Sequence, residues 1–387
     1  MAKTATAEKH AAAQTSTAAA PAAAAPPLET QRPRKVRYGF IGAGAIAQRR
    51  HLPEAQTNPH AKIIAIADVV ADRLKDVAGY FNATAYTDYR QMLQDPEIDV
   101  IVVAGPNALH APMTIDALQA GKHVLCEKPM ATTLEEARAM IDAAEKSGRR
   151  LMVTMNQRFM SHHVRARQIL ASGRLGRPLT FRTVFAHSGP ENWSVEGIDT
   201  WFFNKGAAGV GVLGDLGVHK IDLMRWLIGE EFIEVGAEIT TLDKRYPDGE
   251  LIHLDDNAHL VLRTARGVVG SVSVSWTHYG KADNHTLIAC EDGVLSIGIE
   301  PTEHLVIDYR NGDREALRFA DLKPGGWPER SGIIDAFTDC LLHDKPSPVT
   351  GHDGLKALEV VLIGMKAAKE RKTLKLDASG SRISKDQ

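Results

Sequence analysis

Directly after an apolar run at 36–41 the chain reads Gly42-Ala43-Gly44-Ala45-Ile46-Ala47, and the residues beyond it have the apolar spacing of a helix. A strand that turns on glycines straight into a helix admits few folds. Gly42 permits the tight turn, Gly44 removes a side chain that would block a pyrophosphate, and Ala47 lets helix and strand approach closely. The helix N-terminus then presents its unpaired N–H groups to the phosphates. Gly42, Gly44, Ala45 and Ile46 are therefore candidate cofactor-binding residues. Asp68 ends the next β-rich run, about 20 residues past the motif, where an acidic side chain accepts hydrogen bonds from adenosine ribose hydroxyls. It also reads as an N-cap ahead of Val70, and both roles can coexist.

From Lys35 onward, strand candidates at 36–41, 62–67, 98–104, 122–126 and 151–155 alternate with helix candidates at 46–56, 70–80, 108–120 and 134–147. This alternation predicts βαβ units and a doubly wound parallel sheet over 35–155. Gly121 and Gly148 stand where helix C-caps are expected. After 155 the pattern changes. A helix at 162–172 precedes strand-like runs at 178–187, 233–242, 257–265, 268–276, 285–289, 293–297 and 304–308, and helices near 331–343 and 353–370 follow. Runs such as Ser271-Val272-Ser273-Val274-Ser275-Trp276 alternate polar and apolar residues. They predict an α+β domain over 156–376, with a large, mainly antiparallel open sheet packed on one face.

The 387 residues, 44% hydrophobic and 24% charged, suffice for two packed cores. The formal charge of −2 leaves no broad cationic surface, so neither nucleic acid nor an anionic membrane is the expected partner. Cys126, Cys290 and Cys340 form no CxxC pair, which argues against a disulfide framework or zinc cluster and fits a reducing compartment. Ala, Pro, Thr and Gln dominate residues 11–31, so 1–34 is expected to be a disordered tail, with a second tail at 377–387. The first 27 residues lack Leu, Ile, Val and Phe, and no apolar run reaches about 18 residues, so a cytoplasmic location is expected.

Two further strand ends carry polar groups toward the same crevice. One is Gly105-Pro106-Asn107 with His110, where Asn107 equally reads as a helix cap. The other is Glu127-Lys128-Pro129. Together with Gly42 to Ala47, Asp68 and the stretch Ala120-Gly121-Lys122-His123-Val124-Leu125-Cys126, these resemble the Gfo/Idh/MocA oxidoreductases. The resemblance continues in Asn156-Gln157-Arg158-Phe159, similar to the family's N-x-R-F. It continues again in Asp215-Leu216-Gly217-Val218-His219 with Asp222, similar to D-x-G-x-H-x-x-D. It holds in register from about 35 to 229 and more loosely to the end.

The resemblance implies a Rossmann domain binding NAD(P), with Pro106, Asn107, His110, Glu127 and Lys128 at the cofactor. It further implies Lys128, Asp215 and His219 as the catalytic set, Asn156 and Arg158 at the substrate, and a homodimer or homotetramer. Two departures stand out. Gly209-Val210-Gly211 and Gly214 replace the usual three glycines before the aspartate, reshaping the turn, and Gly105 replaces a common hydroxyl residue.

Asp215 and His219 at i, i+4 share a helix face and can act on one hydroxyl. A histidine titrating near neutrality accepts a proton as hydride leaves the same carbon, while Lys128 stabilises charge on the oxygen. The alternatives are a core histidine and an N-capping aspartate. The segment with His187, Trp193 and Trp201 combines aromatic rings with hydrogen-bonding groups, which suits a sugar, sugar acid or cyclitol. Trp193 and Trp201 also read as core or interface residues. Rival functions are NAD-dependent, redox-assisted glycoside cleavage and a non-catalytic sugar- or nucleotide-responsive regulator. The regulator needs no proton-transfer set. Metal is not expected, because adjacent His162 and His163 lack the i, i+4 spacing of helix ligands. Asp68 followed by Val69, Val70 and Ala71 favours NAD over NADP. Arg73 reads either as a solvated helix residue or as a guanidinium that swings toward a phosphate.

Overall fold

Four consecutive apolar residues, Val100–Val103, are all buried, as a strand covered on both faces requires. They form the fourth strand of a six-stranded parallel sheet. In the computed structural model, which describes residues 35–322 and 330–376, the N-terminal elements run in this order: β1 (Val36–Ile41), α1 (Leu52–Thr57), β2 (Ala61–Ala67), α2 (Ala71–Phe81), β3 (Thr84–Tyr86), α3 (Tyr89–Leu93), β4 (Val100–Val103), α4 (His110–Gln119), β5 (His123–Cys126), α5 (Leu134–Ser147) and β6 (Leu151–Val153). The expected tails, 1–34 and 377–387, lie outside the described residues. The strand order β3-β2-β1-β4-β5-β6 reverses direction of winding between β1 and β4, which opens a crevice at their carboxyl ends. The doubly wound parallel sheet expected from the alternation is thus present.

The second part begins with α6 (Ser161–Ala171), β7 (Pro178–Ala186), α7 (Lys205–Ala208), α8 (Val218–Ile228), β8 (Phe232–Thr240), β9 (Asn257–Thr264), β10 (Val269–Ser275), β11 (Asp283–Cys290) and β12 (Gly293–Ile297). It closes with β13 (Leu305–Tyr309), β14 (Arg314–Leu317), α9 (Ile333–Leu342), α10 (Gly351–Glu370) and β15 (Leu374–Lys375). Nine strands form one sheet in the order β14-β13-β12-β11-β7-β10-β9-β8-β15. Every pairing is antiparallel except β7 with β10. Val272, Val274 and Trp276 point into the core, and the serines between them lie on the other face, as the alternation predicts. Every residue of α8 is buried, between the sheet and helices α6 and α10.

Five elements carry too little apolar signal to stand out in the sequence: β3, α3, α7, β14 and β15. They are short and largely surface elements. The helix expected at 46–56 is also not uniform. A five-residue π-helical turn, Ala47–His51, precedes α1, whose second residue is Pro53. Proline has no N–H to give and crowds the carbonyl one turn back, which disfavours an unbroken α-helix there. The helix expected from 108 begins as a short 3₁₀ turn, Asn107–Leu109.

Candidate active site

The glycine turn does what its sequence predicts. Gly42 has φ +96°, and a Cβ there would lie 2.6 Å from the Ala104 carbonyl oxygen at the end of β4. A Cβ on Gly44 would meet nothing within 4 Å. Gly44, Ala45 and Ile46 line a cleft of about 350 Å³ at the switch point, together with Ala104, Gly105, Asn107, His110 and Glu127. This open cradle at a helix start fits the diphosphate of a dinucleotide.

Asp68 lies at the end of β2, buried, and accepts hydrogen bonds from the backbone N–H of Ala43 and Val70. The Val70 contact closes a local turn ahead of α2, whose N-cap is Val70 without a side-chain cap, so the expected capping role is not taken; the Ala43 contact ties the aspartate to the glycine turn. Arg73 is half-buried and paired rather than free in solvent. It forks onto Asp68 and also pairs with Glu196 at 2.6 Å.

The other end of the cleft holds the expected catalytic set. Lys128 Nζ lies 2.6 Å from Asp215 Oδ1, and Trp276 Nε1 donates to Oδ2 at 3.1 Å. His219 lines the cleft beside them, its Nδ1 buried with no hydrogen-bond partner among the described residues. Asp215 stands on a second π-helical turn, Leu213–Gly217, that runs into α8. Asp255 caps this turn, accepting from the N–H of Gly211 and Leu213. A Cβ on Gly211 would lie 2.3 Å from the Asp255 carbonyl oxygen, so the altered glycine pattern before Asp215 suits this close approach.

Burial alone would raise the Asp215 carboxyl, but the adjacent Lys128, with His187 and His219, holds it below its ordinary value. Burial, and then the charge of Lys128, push the His219 imidazole down to about 3. The expectation of a histidine titrating near neutrality is therefore corrected: this ring is neutral across the physiological range because water cannot solvate its cation.

Glu127 does not reach into the cleft alone. Its carboxylate bonds His51 Nε2 at 2.8 Å and the backbone N–H of Lys128 at 3.0 Å. Against the cost of burial, His51 and Lys128 bring it down to about 2. His110 lies between two backbone carbonyls, those of Pro129 at 2.8 Å and Gly105 at 2.9 Å, and so joins two cofactor-side loops. Asn107 donates to the Ala208 carbonyl and does not act as a side-chain cap; Pro106 sits just before it and does not line the cleft.

The substrate candidates divide. Asn156, His187, Trp193 and Trp201 line the cleft, and Asn156 Oδ1 is buried with no hydrogen-bond partner among the described residues. Trp201 stacks on Phe202 at 3.8 Å and Trp193 meets the same ring edge-on, forming an aromatic wall. Arg158 is elsewhere. It forks onto Asp222 and reaches Asp353, all buried, in a network that joins α8 to α10. An expected substrate ligand is thus a structural cation, because three buried charges satisfy one another there.

Sequence reasoning missed His51, Trp276 and Glu196. Trp276 had a readable signal, its inward parity on the alternating strand. Nothing local marks His51 or Glu196, whose partners are 76 and 123 residues away. Among the described residues no three His, Cys, Asp or Glu side chains gather to hold a metal ion, and no helix is long and apolar enough to cross a membrane.

Residues 36–155 match the family model described as an oxidoreductase family with an NAD-binding Rossmann fold, and 163–296 match the GFO/IDH/MocA C-terminal domain. A levoglucosan dehydrogenase of Pseudarthrobacter phenanthrenivorans is 30% identical over 351 residues, covering 83% of this chain and 88% of that protein. An inositol 2-dehydrogenase/D-chiro-inositol 3-dehydrogenase of Shouchella clausii is 29% identical over 316 residues, covering 81% and 85%. A solved levoglucosan dehydrogenase in complex with NADH superposes with a TM-score of 0.77 at 26% identity, over 89% of this chain and 100% of that one. With the glycine cradle, the Lys128–Asp215–His219 set and both domain matches in agreement, the chain belongs to the Gfo/Idh/MocA family of NAD-binding oxidoreductases.

Proposed function

We propose that this protein transfers a hydride between NAD and a hydroxyl-bearing carbon of a sugar, sugar acid or cyclitol. The carrying observation is that Lys128, Asp215 and His219 face the same cleft as Gly44 and Ala45. A bound nicotinamide would take or return the hydride at that carbon. The chain's own groups manage the oxygen and its proton. Lys128, fixed by Asp215, donates a hydrogen bond to the reacting oxygen and stabilises negative charge there. His219, kept neutral by burial, has a free nitrogen lone pair for the hydroxyl proton, and the nearby Asp215 charge favours the imidazolium once formed. Trp276 holds the second Asp215 oxygen, so the carboxylate cannot swing away from Lys128. The rings of Trp193, Trp201 and Phe202 offer a surface for the C–H face of a carbohydrate, and Asn156 and His187 offer polar contacts.

The relatives named for levoglucosan and inositol support the substrate class. The domain division proposed is a cofactor part to about 155 and a substrate part to 376. The outward face of the nine-stranded sheet, which includes the exposed Val261, is proposed to pair copies into a homodimer or homotetramer. A reducing, cytoplasmic location is proposed, supported by Cys126, Cys290 and Cys340 standing as free, buried thiols. The deciding experiment incubates the purified protein with a panel of sugars and inositols, with NAD and NADP separately, and follows absorbance of the reduced cofactor. No turnover on any polyol with either nucleotide would refute the reading.

A further inference from the structure

Beside the cleft three charged side chains, Asp68, Arg73 and Glu196, meet, and Glu196 lines the cleft itself. The Asp68 carboxylate accepts from the N–H of Ala43 at 2.7 Å and of Val70 at 2.8 Å, and from Arg73 through Nε at 3.2 Å and Nη2 at 2.9 Å. Four donors fill the acceptor positions of a carboxylate. The same guanidinium gives Nη1 to Glu196 Oε1 at 2.6 Å, and Ser194 Oγ holds the other Glu196 oxygen at 2.5 Å. Glu196 belongs to the loop after β7, in the substrate domain, and lines the same cleft as Gly44.

An adenosine ribose gains Asp68 only if Arg73 gives up a bond there. What the arginine does on release decides which nucleotide the site accepts. A guanidinium loose beside the ribose is a ready bidentate partner for a 2′-phosphate. One held by a second carboxylate is not.

We propose that Glu196, supplied by the substrate domain, is a determinant of cofactor specificity: it retains Arg73 and so enforces NAD over NADP. The proposal rests on the nucleotide lying along the glycine turn with its ribose at Asp68. Asp68 supplies one part of the discrimination, and Glu196 removes the cation that would offset it. Because Glu196 comes from the second domain, that domain takes part in selecting the nucleotide.

The test is titration calorimetry of NAD and NADP binding to the unmodified protein, Glu196→Gln, Arg73→Met and the double variant. Glu196→Gln keeps an oxygen for Arg73 but removes the charge, and should tighten NADP on the order of tenfold while NAD changes by no more than about threefold. In the Arg73→Met background the same substitution should change NADP by about twofold or less, since the phosphate's partner is gone. A merely structural role for Glu196 would weaken both nucleotides alike. NAD binding with an unchanged NADP/NAD ratio in Glu196→Gln, or a gain that survives loss of Arg73, would overturn the role of Glu196 alone. Failure of the unmodified protein to bind either nucleotide would instead overturn the cofactor reading and this inference with it.

Discussion

Replacing Lys128 with methionine separates what the lysine does for chemistry from what it does for the fold. The side chains of Lys128 and Asp215 are 15% and 5% exposed and lie 2.6 Å apart. Removing one partner of a buried pair typically costs about 3–5 kcal/mol, because the remaining charge is left uncompensated. Here the Trp276 bond to Asp215 persists and the lysine is slightly exposed, so the lower end, about 3 kcal/mol at neutral pH, is expected. That is on the order of a hundredfold in the folding equilibrium.

The pH dependence follows from the same pair. With Lys128 present the Asp215 carboxyl lies below its ordinary value of 3.8, so its contribution is intact above that value and is lost only as pH falls through the lower folded value. Without Lys128 burial dominates and the folded value moves above the unfolded one. The penalty then develops as pH rises through that interval. The stability deficit of Lys128→Met should therefore be smaller at about pH 5 than at about pH 7.5, as read by urea denaturation. Adding Asp215→Asn removes the stranded charge and should recover most of the lost stability, while turnover stays depressed by roughly 10²-fold or more. A Lys128→Met protein within about 0.5 kcal/mol of the parent at neutral pH, or no recovery in the double variant, would refute the reasoning.

His219→Ala should lower kcat by about 10²–10⁴-fold with NAD affinity nearly unchanged in calorimetry, and the acid limb of kcat/KM should not fall near the ordinary histidine value, because burial sets this ring at about 3. Gly42→Ala should cost about 2 kcal/mol or more, since it combines a left-handed backbone with a Cβ 2.6 Å from the Ala104 oxygen; Gly44→Ala should fold like the parent in thermal melts yet bind NAD more weakly. Arg158→Met should destabilise by about 3 kcal/mol, because Asp222 keeps only the more distant Arg225 and Asp353 only its Thr350 bonds, and folded enzyme should keep its substrate KM; a large rise in KM with unchanged stability would restore Arg158 to the substrate site.

Local chemistry made the cofactor half readable. The turn at Gly42 and Gly44, the run at Val100–Val103 and the helix Leu134–Ser147, capped by Thr133 and Gly148, each follow from interactions within a few residues, so the sequence displays them directly. The alternation of β10 likewise revealed which side chains face the core. Asp215 and His219 could be paired because helical spacing alone puts them on one face.

Other features depend on groups far apart in the chain. Arg158 and His219 are both polar residues in family-like motifs, yet one lies in a buried charge network and the other in the cleft. Only the packing of α8 against α10 distinguishes them. The neutral state of His219 needed the burial and the neighbouring Lys128 charge, since an imidazole's proton affinity reflects its surroundings and not its sequence context. The sequence by itself determined the succession of a parallel and a mainly antiparallel sheet and the glycine cradle, because periodicity and turn chemistry are local; the proton-handling candidates came from the resemblance of their motifs. The tertiary structure alone decided that His51 supports Glu127, that Trp276 fixes Asp215 and that Glu196 retains Arg73. His51 and Glu127 meet through the parallel sheet and Trp276 and Asp215 through the second one, while Arg73 and Glu196 meet only when both are folded against each other; separations of 61 to 123 residues leave no local signal for any of them.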